Sequence, residues 1–596
     1  MPLLILLNNL YFKRVLLGLI ICLSITAGLF TFQMVDIVPA TTAAEEFSTE
    51  RAFTHIAKIA QEPHPMGSDE IERVRRYIID EITSLGLTVM IQGTTVPDYY
   101  STMYNREPVD IYNVFAVLEG TDSTGSIVLM GHYDTVPASP GANDDGSAVA
   151  TLLETARSLI AGPPLRNDVI MLFTDAEEPG RNRYGARFFV ENYESIDDIR
   201  LVLNFEATGR TGPSVMFETA PNNAWLVQAL YRNTAKPVAF SFISDIYRLI
   251  AKGGTDFTAF EEAGISGLNF AYSFERTIYH TALDNIESVD KRSLQHHGDY
   301  AFNLARYFGN LDFNEASPTV EKDAVYHSLF WGASIRYSTS WIIPLVVTTG
   351  ILLFSCIYIG LRRGMITKLG VIASTIACFM EIVTLTLVLT LAWWGLEGLK
   401  HSLGTVAEPT LESPLFFMVF LFLTMAIMIA NRIWFGNRLN SLDIYVGEVL
   451  FWWLITILAG IYLPGLNIIL LWPVFFSLLL LGRAILRKTT SNNSWGYFAL
   501  VSISSAVSIT LLTVPIYLFF QVLGVSSPGF SGSPSFPFLG FSILFWMMLI
   551  SLLLPGLDFF GNIKQRRVLY GLLVIAVICL VAAIVAPGMP IDSFGL

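Results

Sequence analysis

Apolar and polar positions follow two different patterns along this 596-residue chain. From about residue 45 to residue 335, charged and apolar residues alternate over short distances, which is typical of a globular domain. From residue 341 onward, long apolar runs are separated by short basic turns, and one further apolar run covers residues 15–32. These patterns predict an N-terminal transmembrane anchor in 1–40, a globular domain in 45–335 and a C-terminal transmembrane domain in 341–596.

The apolar runs predict about nine membrane-spanning helices, because each run is long enough to cross a bilayer as a helix. Eight candidate spans follow the first one, at 341–361, 369–394, 414–430, 444–463, 466–482, 496–523, 537–557 and 568–587. For the first run a cleaved signal peptide is the alternative, because "VPA" at 38–40 is a passable cleavage site. Basic residues gather in alternate loops, which predicts a cytoplasmic N-terminus and an extracytoplasmic globular domain.

The globular region contains patterns for strands and helices in alternation. The predicted strands are 87–92, 111–118, 126–131, 168–174 and 201–205. The predicted helices are 69–86, 146–160, 184–194, 222–234, 255–262 and 291–308. This alternation predicts an α/β domain with a mainly buried sheet.

The composition supports membrane insertion and narrows the chemistry of the globular region. Hydrophobic residues make up 53% of the chain and charged residues 15%, which is too apolar for an ordinary soluble protein. Acidic residues are concentrated before residue 341, and an acidic soluble part argues against nucleic acid as a partner. All four cysteines lie in apolar runs, so a metal in the globular region must be held by nitrogen and oxygen ligands.

Acidic side chains and a histidine follow the ends of three predicted strands. The strand "SIVLM" (126–130) leads into "GHYDTVPASPGANDDGS" (131–147), and the next two strands lead into "DAEE" (175–178) and Glu206. Active sites of open α/β sheets gather at such strand ends. Several uncompensated carboxylates at one site would raise each other's pKa, and a divalent cation removes that conflict. Imidazole and carboxylate ligands without thiolate suit a catalytic zinc site, in which one bridging carboxylate can hold two metals.

These segments resemble the M28 zinc peptidases, which are aminopeptidase-like metallohydrolases. The shared motifs are "GHYD…GANDDGS", "DAEE", "NFEATG", "GTDFTAF" and "YHTALDN", in the expected order, with "PHPMGS" ahead of a helix. Together they span about residues 55–310. The additional membrane spans resemble the multipass branch of endoplasmic reticulum metallopeptidases and vacuolar membrane proteases. The resemblance implies an aminopeptidase-like α/β domain with a mixed central sheet flanked by helices, and two zinc ions (Zn2+) per chain.

The same resemblance assigns roles to individual residues. The metal ligands that it implies are His132, Asp144, Glu178, Glu206 and His280. Asp144 would bridge the two ions, His132 and Glu206 would complete one site, and Glu178 and His280 would complete the other. The catalytic residues that it implies are Glu177, as the general base, and Asp134, which would orient the imidazole of His132. Many relatives have Asp where Glu206 stands, which leaves the denticity of this ligand and the metal preference open.

The resulting hypothesis is a membrane-anchored di-zinc metallopeptidase that hydrolyses peptide bonds with metal-activated water and a Glu base. Aminopeptidase action follows from the resemblance alone. Two alternatives stay open: a single-zinc enzyme of the same fold that resembles glutaminyl cyclase, and a membrane transporter or scaffold whose domain only binds ligands. The expected partners are a peptide substrate and the lipid bilayer, and the oligomeric state stays open.

Other acidic residues in the motifs have less specific roles. Asp145 could order its loop, Asp284 could orient His280, and Asp175 could act similarly or only end its strand. Asp256 could stand near the substrate or cap a helix. His64 is interpreted as a structural residue that fixes a loop near the site.

Two further observations concern the membrane part and the location. Glu381 lies in the middle of a predicted span, where a carboxylate is costly and suggests a polar site or a helix–helix contact. Glu448 lies near a predicted cytoplasmic end, where water can reach it. The globular region has neither an N-x-S/T acceptor nor a disulfide, which favours a bacterial plasma membrane over an ER or vacuolar one.

Overall fold

The chain forms two compact units, Phe32–Thr339 and Met1–Thr31 together with Ser340–Leu596. The computed structural model describes residues 10–96, 108–178, 182–250, 254–316, 322–403, 412–436, 438–487, 494–523, 536–561 and 565–585. The first helix, α1 (Leu10–Leu29), precedes the globular unit in sequence and belongs to the second, apolar unit.

An eight-stranded sheet forms the centre of the globular unit. Its strands are β1 (Val89–Val96), β2 (Val109–Leu118), β3 (Ser126–His132), β4 (Asp168–Thr174), β5 (Ile199–Ala207), β6 (Val215–Thr219), β7 (Val238–Ala239) and β8 (Ser266–Tyr272). They lie in the order β1-β2-β4-β3-β5-β8-β6-β7. The four inner strands β4, β3, β5 and β8 are parallel, whereas β2 and β6 run antiparallel to their inner neighbours. The predicted mixed central sheet is therefore confirmed.

Helices pack on both faces of this sheet. In chain order they are α2 (Thr49–Ile59), α3 (Asp69–Ser84), α4 (Gly146–Ala161), α5 (Tyr184–Asn192), α6 (Ala224–Asn233), α7 (Ser241–Ile250), α8 (Phe257–Glu262), α9 (Lys291–Gly309) and the short α10 (Phe313–Ala316). Apolar residues of α3, α4, α6 and α9 form one core with one face of the sheet, and those of α5 and α8 form a core on the other face. A hairpin of β9 (Ala324–Ser328) and β10 (Ser334–Ser338) completes the unit.

The strand β3 explains why the site forms where it does. All seven of its residues are buried, and Ile127 and Leu129 join one core while Val128 and Met130 join the other. At its carboxyl end a Cβ on Gly131 would lie 2.5 Å from the Cβ of Ala148 on α4. A residue without a side chain is required there, because helix and strand approach too closely for any other. The chain after β3 is thereby held against the first turn of α4.

The second unit consists of long apolar helices. Besides α1, the described residues form α11 (Ile342–Arg362), α12 (Lys368–Leu403), α13 (Glu412–Gly436), α14 (Ser441–Tyr462), α15 (Asn467–Arg487), α16 (Trp495–Leu523), α17 (Phe536–Gly561) and α18 (Gln565–Val585). Among the described residues, seven helices are long and apolar enough to cross a membrane, and shorter apolar stretches occupy Phe541–Leu553 and Val568–Leu580. These nine helices coincide with the nine predicted spans, and the number that cross the membrane stays approximate.

Two details of the apolar unit bear on the sequence predictions. The predicted spans 444–463 and 466–482 are separate helices, because a short 3-10 helix at Pro464–Leu466 lies between α14 and α15. Helix α1 packs against α16, where the Thr510 hydroxyl donates a hydrogen bond to the carbonyl of Ser24 over 3.3 Å. This packing favours a membrane helix over a cleaved signal peptide for the first apolar run.

Asn167 connects the amino ends of β3 and β4 to the end of α9. Its Oδ1 accepts hydrogen bonds from the backbone N and the hydroxyl of Thr124, at 2.8 and 2.9 Å. Its Nδ2 donates to the carbonyls of Phe308 and Leu311, at 3.0 and 2.6 Å. The side chain is fully buried. We expect Asn167→Ala to lower the free energy of unfolding of the globular unit by about 3 kcal/mol, because four hydrogen bonds of a buried side chain are lost.

The measurement is heat-induced proteolysis of the full chain, with cleavage within Phe32–Thr339 followed by mass spectrometry. Asn310→Ala is the matched control, since the exposed Asn310 donates one hydrogen bond to Arg306 within the same region. That variant should change stability by no more than about 0.5 kcal/mol. Equal melting of the two variants would contradict the role given to Asn167.

Candidate metal centre

The seven residues proposed for the site meet at the carboxyl ends of the inner parallel strands. His132 ends β3, Glu177 and Glu178 follow β4, and Glu206 is the penultimate residue of β5. Asp144 lies in the loop before α4. The remaining ligand candidate, His280, comes from the loop after a 3-10 turn at Arg276–Ile278.

Five of these side chains form two groups that share one carboxylate. One group is His132, Asp144 and Glu206, and the other is Asp144, Glu178 and His280; within each, one ligand atom per residue lies within 4.8 Å of the others. Both oxygens of Asp144 face a histidine: Oδ1 lies 3.4 Å from Nε2 of His132 and Oδ2 lies 3.4 Å from Nε2 of His280. The outer carboxylates complete the groups, with Glu206 Oε2 at 3.7 Å from His132 Nε2 and Glu178 Oε2 at 3.1 Å from His280 Nε2.

Asp134 connects the histidine of one strand to the acids of the next. Its Oδ1 lies 3.4 Å from Nδ1 of His132, which also lies 3.0 Å from the Asp134 carbonyl oxygen. The two carboxylate oxygens accept hydrogen bonds from the backbone N of Glu177 and of Glu178, at 3.0 and 3.1 Å. Asp134 thus fixes the imidazole with Nε2 toward the acids, and it also fixes the backbone that carries Glu177 and Glu178.

The backbone of this second loop is unusual at one position. Ala176, between the end of β4 and the two glutamates, has φ of 64°. Such a conformation in a residue with a side chain costs free energy and is concentrated at functional sites. Here it turns the chain so that both following N–H groups point to Asp134.

Asp284 holds the loop that carries Asp144. It is fully buried and accepts hydrogen bonds from the backbone N of Asn143 and Asp144, at 2.8 and 3.1 Å, and from the Asn143 side chain at 2.8 Å. Among the described residues, no hydrogen bond joins Asp284 to His280, the residue it was expected to orient. The contact of Asp284 is therefore with the Asp144 loop.

Glu177 stands beside the two groups without belonging to either. Its Oε1 lies 3.5 Å from Nε of Arg183, a buried residue that the sequence pattern did not single out. Burial raises the pKa of Glu177 above its ordinary value, while the positive charge of Arg183 opposes that rise. A carboxylate whose pKa is raised in this way is better suited to accept a proton than an exposed one.

Burial and neighbouring charges shift the pKa values of the side chains in the cluster. Burial, opposed in part by His280 and reinforced by Asp144, raises the pKa of Glu178 to about 8. Burial together with neighbouring carboxylates also holds the pKa of Glu206 well above its ordinary value. For His280 the cost of burial is outweighed by Glu178 and Asp144, which raise its pKa to about 10. The protein alone therefore leaves an excess of buried acid, and a cation would relieve it.

The side-chain atoms also fit a metal. Nε2 of His280 is buried and has no partner in hydrogen-bond geometry among the described residues, although carboxylate oxygens stand close to it. Imidazole nitrogen and carboxylate oxygen are the ligands that catalytic zinc takes in proteins. The donor set and the unsatisfied nitrogen therefore suit two divalent ions that share Asp144.

Several neighbouring residues have structural contacts. Asp175 accepts a hydrogen bond from the backbone N of Tyr112 at 3.0 Å, so it anchors the end of its strand. Asp256 occupies the N-cap position of α8 without a capping hydrogen bond, and it accepts one from the Thr174 hydroxyl. His64 is buried, and its backbone N donates to the hydroxyl of Thr135 at 2.9 Å, which fixes its loop beside the site as expected.

Asn204 was missed by the sequence analysis although its position carried a signal. It lies two residues before Glu206 on β5, and alternate residues of a strand point to the same face. Its Nδ2 donates to Glu206 Oε1 at 3.0 Å and to Asn269 Oδ1 on β8 at 3.0 Å. The amide therefore orients one of the ligand candidates.

Comparisons with known proteins agree with this geometry. Residues 113–305 match the sequence profile of peptidase family M28. A vacuolar membrane protease of Candida dubliniensis is 29% identical over 292 residues, which are 46% of this chain and 30% of that protein. Endoplasmic reticulum metallopeptidase 1 of Rattus norvegicus is 30% identical over 292 residues, which are 46% of this chain and 32% of that protein. The chain thus spans about a third of the length of these relatives.

Two solved structures are also similar to the globular unit. A zinc aminopeptidase from Bacillus subtilis has 16% sequence identity and a TM-score of 0.35, and the match covers 45% of this chain and 96% of that one. A glutaminyl cyclase from Porphyromonas gingivalis has 19% identity and a TM-score of 0.35, with 43% and 97% covered.

The named relatives also bear on the expected location. They are proteins of fungal vacuolar membranes and of the animal endoplasmic reticulum, so they do not support the expectation of a bacterial plasma membrane. They do match the multipass branch that the motifs resembled. Residues 113–305 of the globular unit are thus a peptidase M28 domain, and the relatives that are similar to this part of the chain include an endoplasmic reticulum metallopeptidase and a vacuolar membrane protease.

Proposed function

We propose that this chain is a membrane-anchored metallopeptidase that holds two zinc ions and removes residues from the N-terminal end of peptides. The observation that carries the proposal is the pair of three-ligand groups that share Asp144. His132, Asp144 and Glu206 would hold one ion, and Asp144, Glu178 and His280 would hold the other. Aminopeptidase action follows from the resemblance to the M28 family.

The residues of the chain would share the work of hydrolysis. When bound, the zinc ions would supply Lewis-acid polarisation of the scissile carbonyl and would lower the pKa of water. Glu177 would accept the proton of the attacking water at its carboxylate and pass it to the leaving amine. Arg183 would keep that carboxylate ionised before the reaction, and Asp134 would hold Glu177 at a fixed distance from the ligands.

The globular unit would work outside the cytoplasm. Basic residues lie in alternate loops of the apolar unit, which supports a cytoplasmic position for the N-terminus and for those loops. A peptidase domain between the first and second spans would then face the opposite side of the membrane. Its substrates would be peptides of that compartment.

The number of zinc ions per chain tests most directly whether Asp144 is shared by two metal sites. We expect the purified chain to contain two zinc ions by elemental analysis, and a chelator to abolish peptide cleavage that added zinc restores. Glu206→Gln should weaken one ion preferentially, whereas Asp144→Asn should weaken both, because Asp144 belongs to both groups. Exposed Glu191→Gln is the control and should keep both ions. A single ion with conversion of N-terminal glutamine to a cyclic product would instead identify a glutaminyl cyclase.

Glu177 can be tested separately from metal binding. We expect Glu177→Gln to keep both zinc ions and to lose roughly 10²–10⁴-fold in the rate of peptide cleavage, the usual contribution of a general base. The measurements are zinc content and kcat on a panel of peptides with free and blocked N-termini. Wild-type turnover in this variant would remove Glu177 from the mechanism, and cleavage of blocked peptides would argue against an aminopeptidase.

Asp284 is expected to act through the position of Asp144. Asp284→Asn replaces an acceptor of three hydrogen bonds, so the Asp144 loop should loosen and zinc affinity should fall about 10–100-fold. Competition with a fluorescent chelator measures the affinity. Asp122→Asn, at an exposed side chain, is the matched control. An unchanged affinity in Asp284→Asn would show that the loop holds its shape without this carboxylate.

A further inference from the structure

The hairpin of β9 and β10 ends in an apolar turn. Its last ladder pair is Ser328 with Ser334, so its tip is Leu329–Ala333, which reads "LFWGA" and has no charged, hydroxyl or amide side chain. Glycine, asparagine and aspartate are favoured in tight turns, because they accept a positive φ. Here Trp331 has a φ of 57° and Gly332 a φ of 73°. A tryptophan with a positive φ is uncommon, so the tip carries a large ring where a small or polar residue is usual.

The tip is also an exposed apolar patch. Trp331 is 76% exposed, more than any other large apolar side chain among the described residues of Phe32–Thr339. Its ring meets that of the half-buried Phe330 edge to face, with 5.1 Å between the centroids. Leu329 is half-buried and Ala333 is exposed. Single exposed apolar residues are normal on a protein surface, whereas a contiguous patch of them marks an interaction surface.

The tip lies beside the segment that follows the first candidate span. That span ends at Phe32, whose side chain is buried in the globular unit. Two residues later, the carbonyl of Met34 accepts a hydrogen bond from Nζ of Lys236 at 2.6 Å. Pro237, the next residue after Lys236, contacts the tip, because its Cδ lies 3.6 Å from the position of a Cβ on Gly332. One end of the hairpin is therefore close to the end of a candidate span.

The other end of the hairpin leads directly into the second candidate span. Strand β10 ends at Ser338, and the span begins at the next residue, Thr339. Trp341, in the 3-10 turn that opens this span, is 58% exposed. The five residues of β10 extend about 17 Å. Strand β10 therefore connects the neighbourhood of one span end to the start of the other span.

Strand β9 fixes the hairpin to the rest of the globular unit. The hydroxyl of Ser328 donates a hydrogen bond to the carbonyl of Pro237 at 2.9 Å and accepts one from the backbone N of Ala239 at 2.9 Å. His327 forms an isolated β-bridge with Phe240, directly after β7. The tip is thus held beside β7, which is one edge of the eight-stranded sheet. A partner of Trp331 meets a turn whose position is already ordered, which lowers the entropic cost of binding.

We propose that the hairpin tip is a bilayer anchor, in which Trp331 inserts into the headgroup region of the membrane that holds the two spans. A strand with a span at either end runs along the bilayer surface, so its tip meets lipid. Tryptophan is enriched at this depth, because its ring is apolar while its indole N–H finds a partner in water or a headgroup. The span ends beside the tip favour lipid over a protein partner. The anchor is independent of the zinc ions and of peptide cleavage.

The first test uses the full chain in lipid nanodiscs, with the photoreactive residue p-benzoylphenylalanine in place of Trp331. Irradiation cross-links this side chain to the molecule that it contacts, and mass spectrometry identifies the adduct. We expect a lipid adduct. Ile91 is the matched control position, because it is 54% exposed on β1, at the opposite edge of the sheet from β7. The same photoreactive residue in place of Ile91 should give no lipid adduct.

A second test measures the depth of the indole without a photoreactive residue. The difference in fluorescence between the wild type and Trp331→Phe reports Trp331 alone, and bromine atoms on lipid chains quench an indole that lies close to them. Lipids brominated near the glycerol end of the chain should remove most of this difference signal. Lipids brominated near the methyl end, at the centre of the bilayer, should remove much less of it.

Several results would overturn the proposal. An adduct with protein in place of lipid would make the tip a protein-binding surface. The absence of a lipid adduct at Trp331, or equal lipid adducts at Trp331 and Ile91, would remove the bilayer as its partner. A Trp331 signal that neither brominated lipid quenches would do the same. Protease resistance of Phe32–Thr339 in each sample verifies that the globular unit is folded, and this control does not depend on zinc or on peptide cleavage.

Discussion

The mutual repulsion of buried carboxylates is the constraint on which the globular unit depends. Asp144, Glu178 and Glu206 are brought within ligand distance of two imidazoles, in a largely buried place where water screens their charges only weakly. The pKa values of Glu178 and Glu206 are raised first by burial and further by the neighbouring carboxylates. Such a cluster persists only if the rest of the fold holds its backbone in place, or if cations join it. The structure provides the first condition, and its ligand atoms are arranged for the second.

The backbone is held by two acids that lie behind the ligands. Asp134 accepts the N–H groups of Glu177 and Glu178, and Asp284 accepts those of Asn143 and Asp144. Hydrogen bonds to a charged acceptor are stronger than those between neutral groups, and here each acid receives at least two. Each loop is thus fixed by a carboxylate from a different part of the chain. The positions of the ligands follow from these contacts more than from the loops' own conformational preferences.

The sequence located the strands that carry the candidate site more completely than it located the elements around them. The inner strands β3, β4 and β5 are continuous apolar runs, so their ends, and the acids at those ends, could be located from the pattern. The fourth inner strand, β8, was missed because glycine and asparagine interrupt the apolar run of "SGLNFAY". Helix α7, strand β6 and the edge strand β7 were missed as well. They are short elements whose apolar residues are buried by tertiary contacts that a local pattern does not contain.

The contacts that the sequence did not reveal join distant segments of the chain. Arg183 contacts Glu177, and Asp284 contacts a loop 140 residues earlier. Neither contact produces a periodic pattern in the sequence. Asn204 is different, because its spacing of two from Glu206 on a strand placed both side chains on one face.

The apolar unit also contains acidic side chains within its helices. There Arg432 forms an ion pair with Glu448, and Asn431 donates a hydrogen bond to Glu381. In the globular unit, three carboxylates and two imidazoles form groups that could hold a metal ion, and Nε2 of His280 has no partner in hydrogen-bond geometry among the described residues. The two units therefore accommodate acidic side chains differently: the apolar unit pairs them with a guanidinium and an amide, and the globular unit gathers them with histidines in an arrangement that suits a cation.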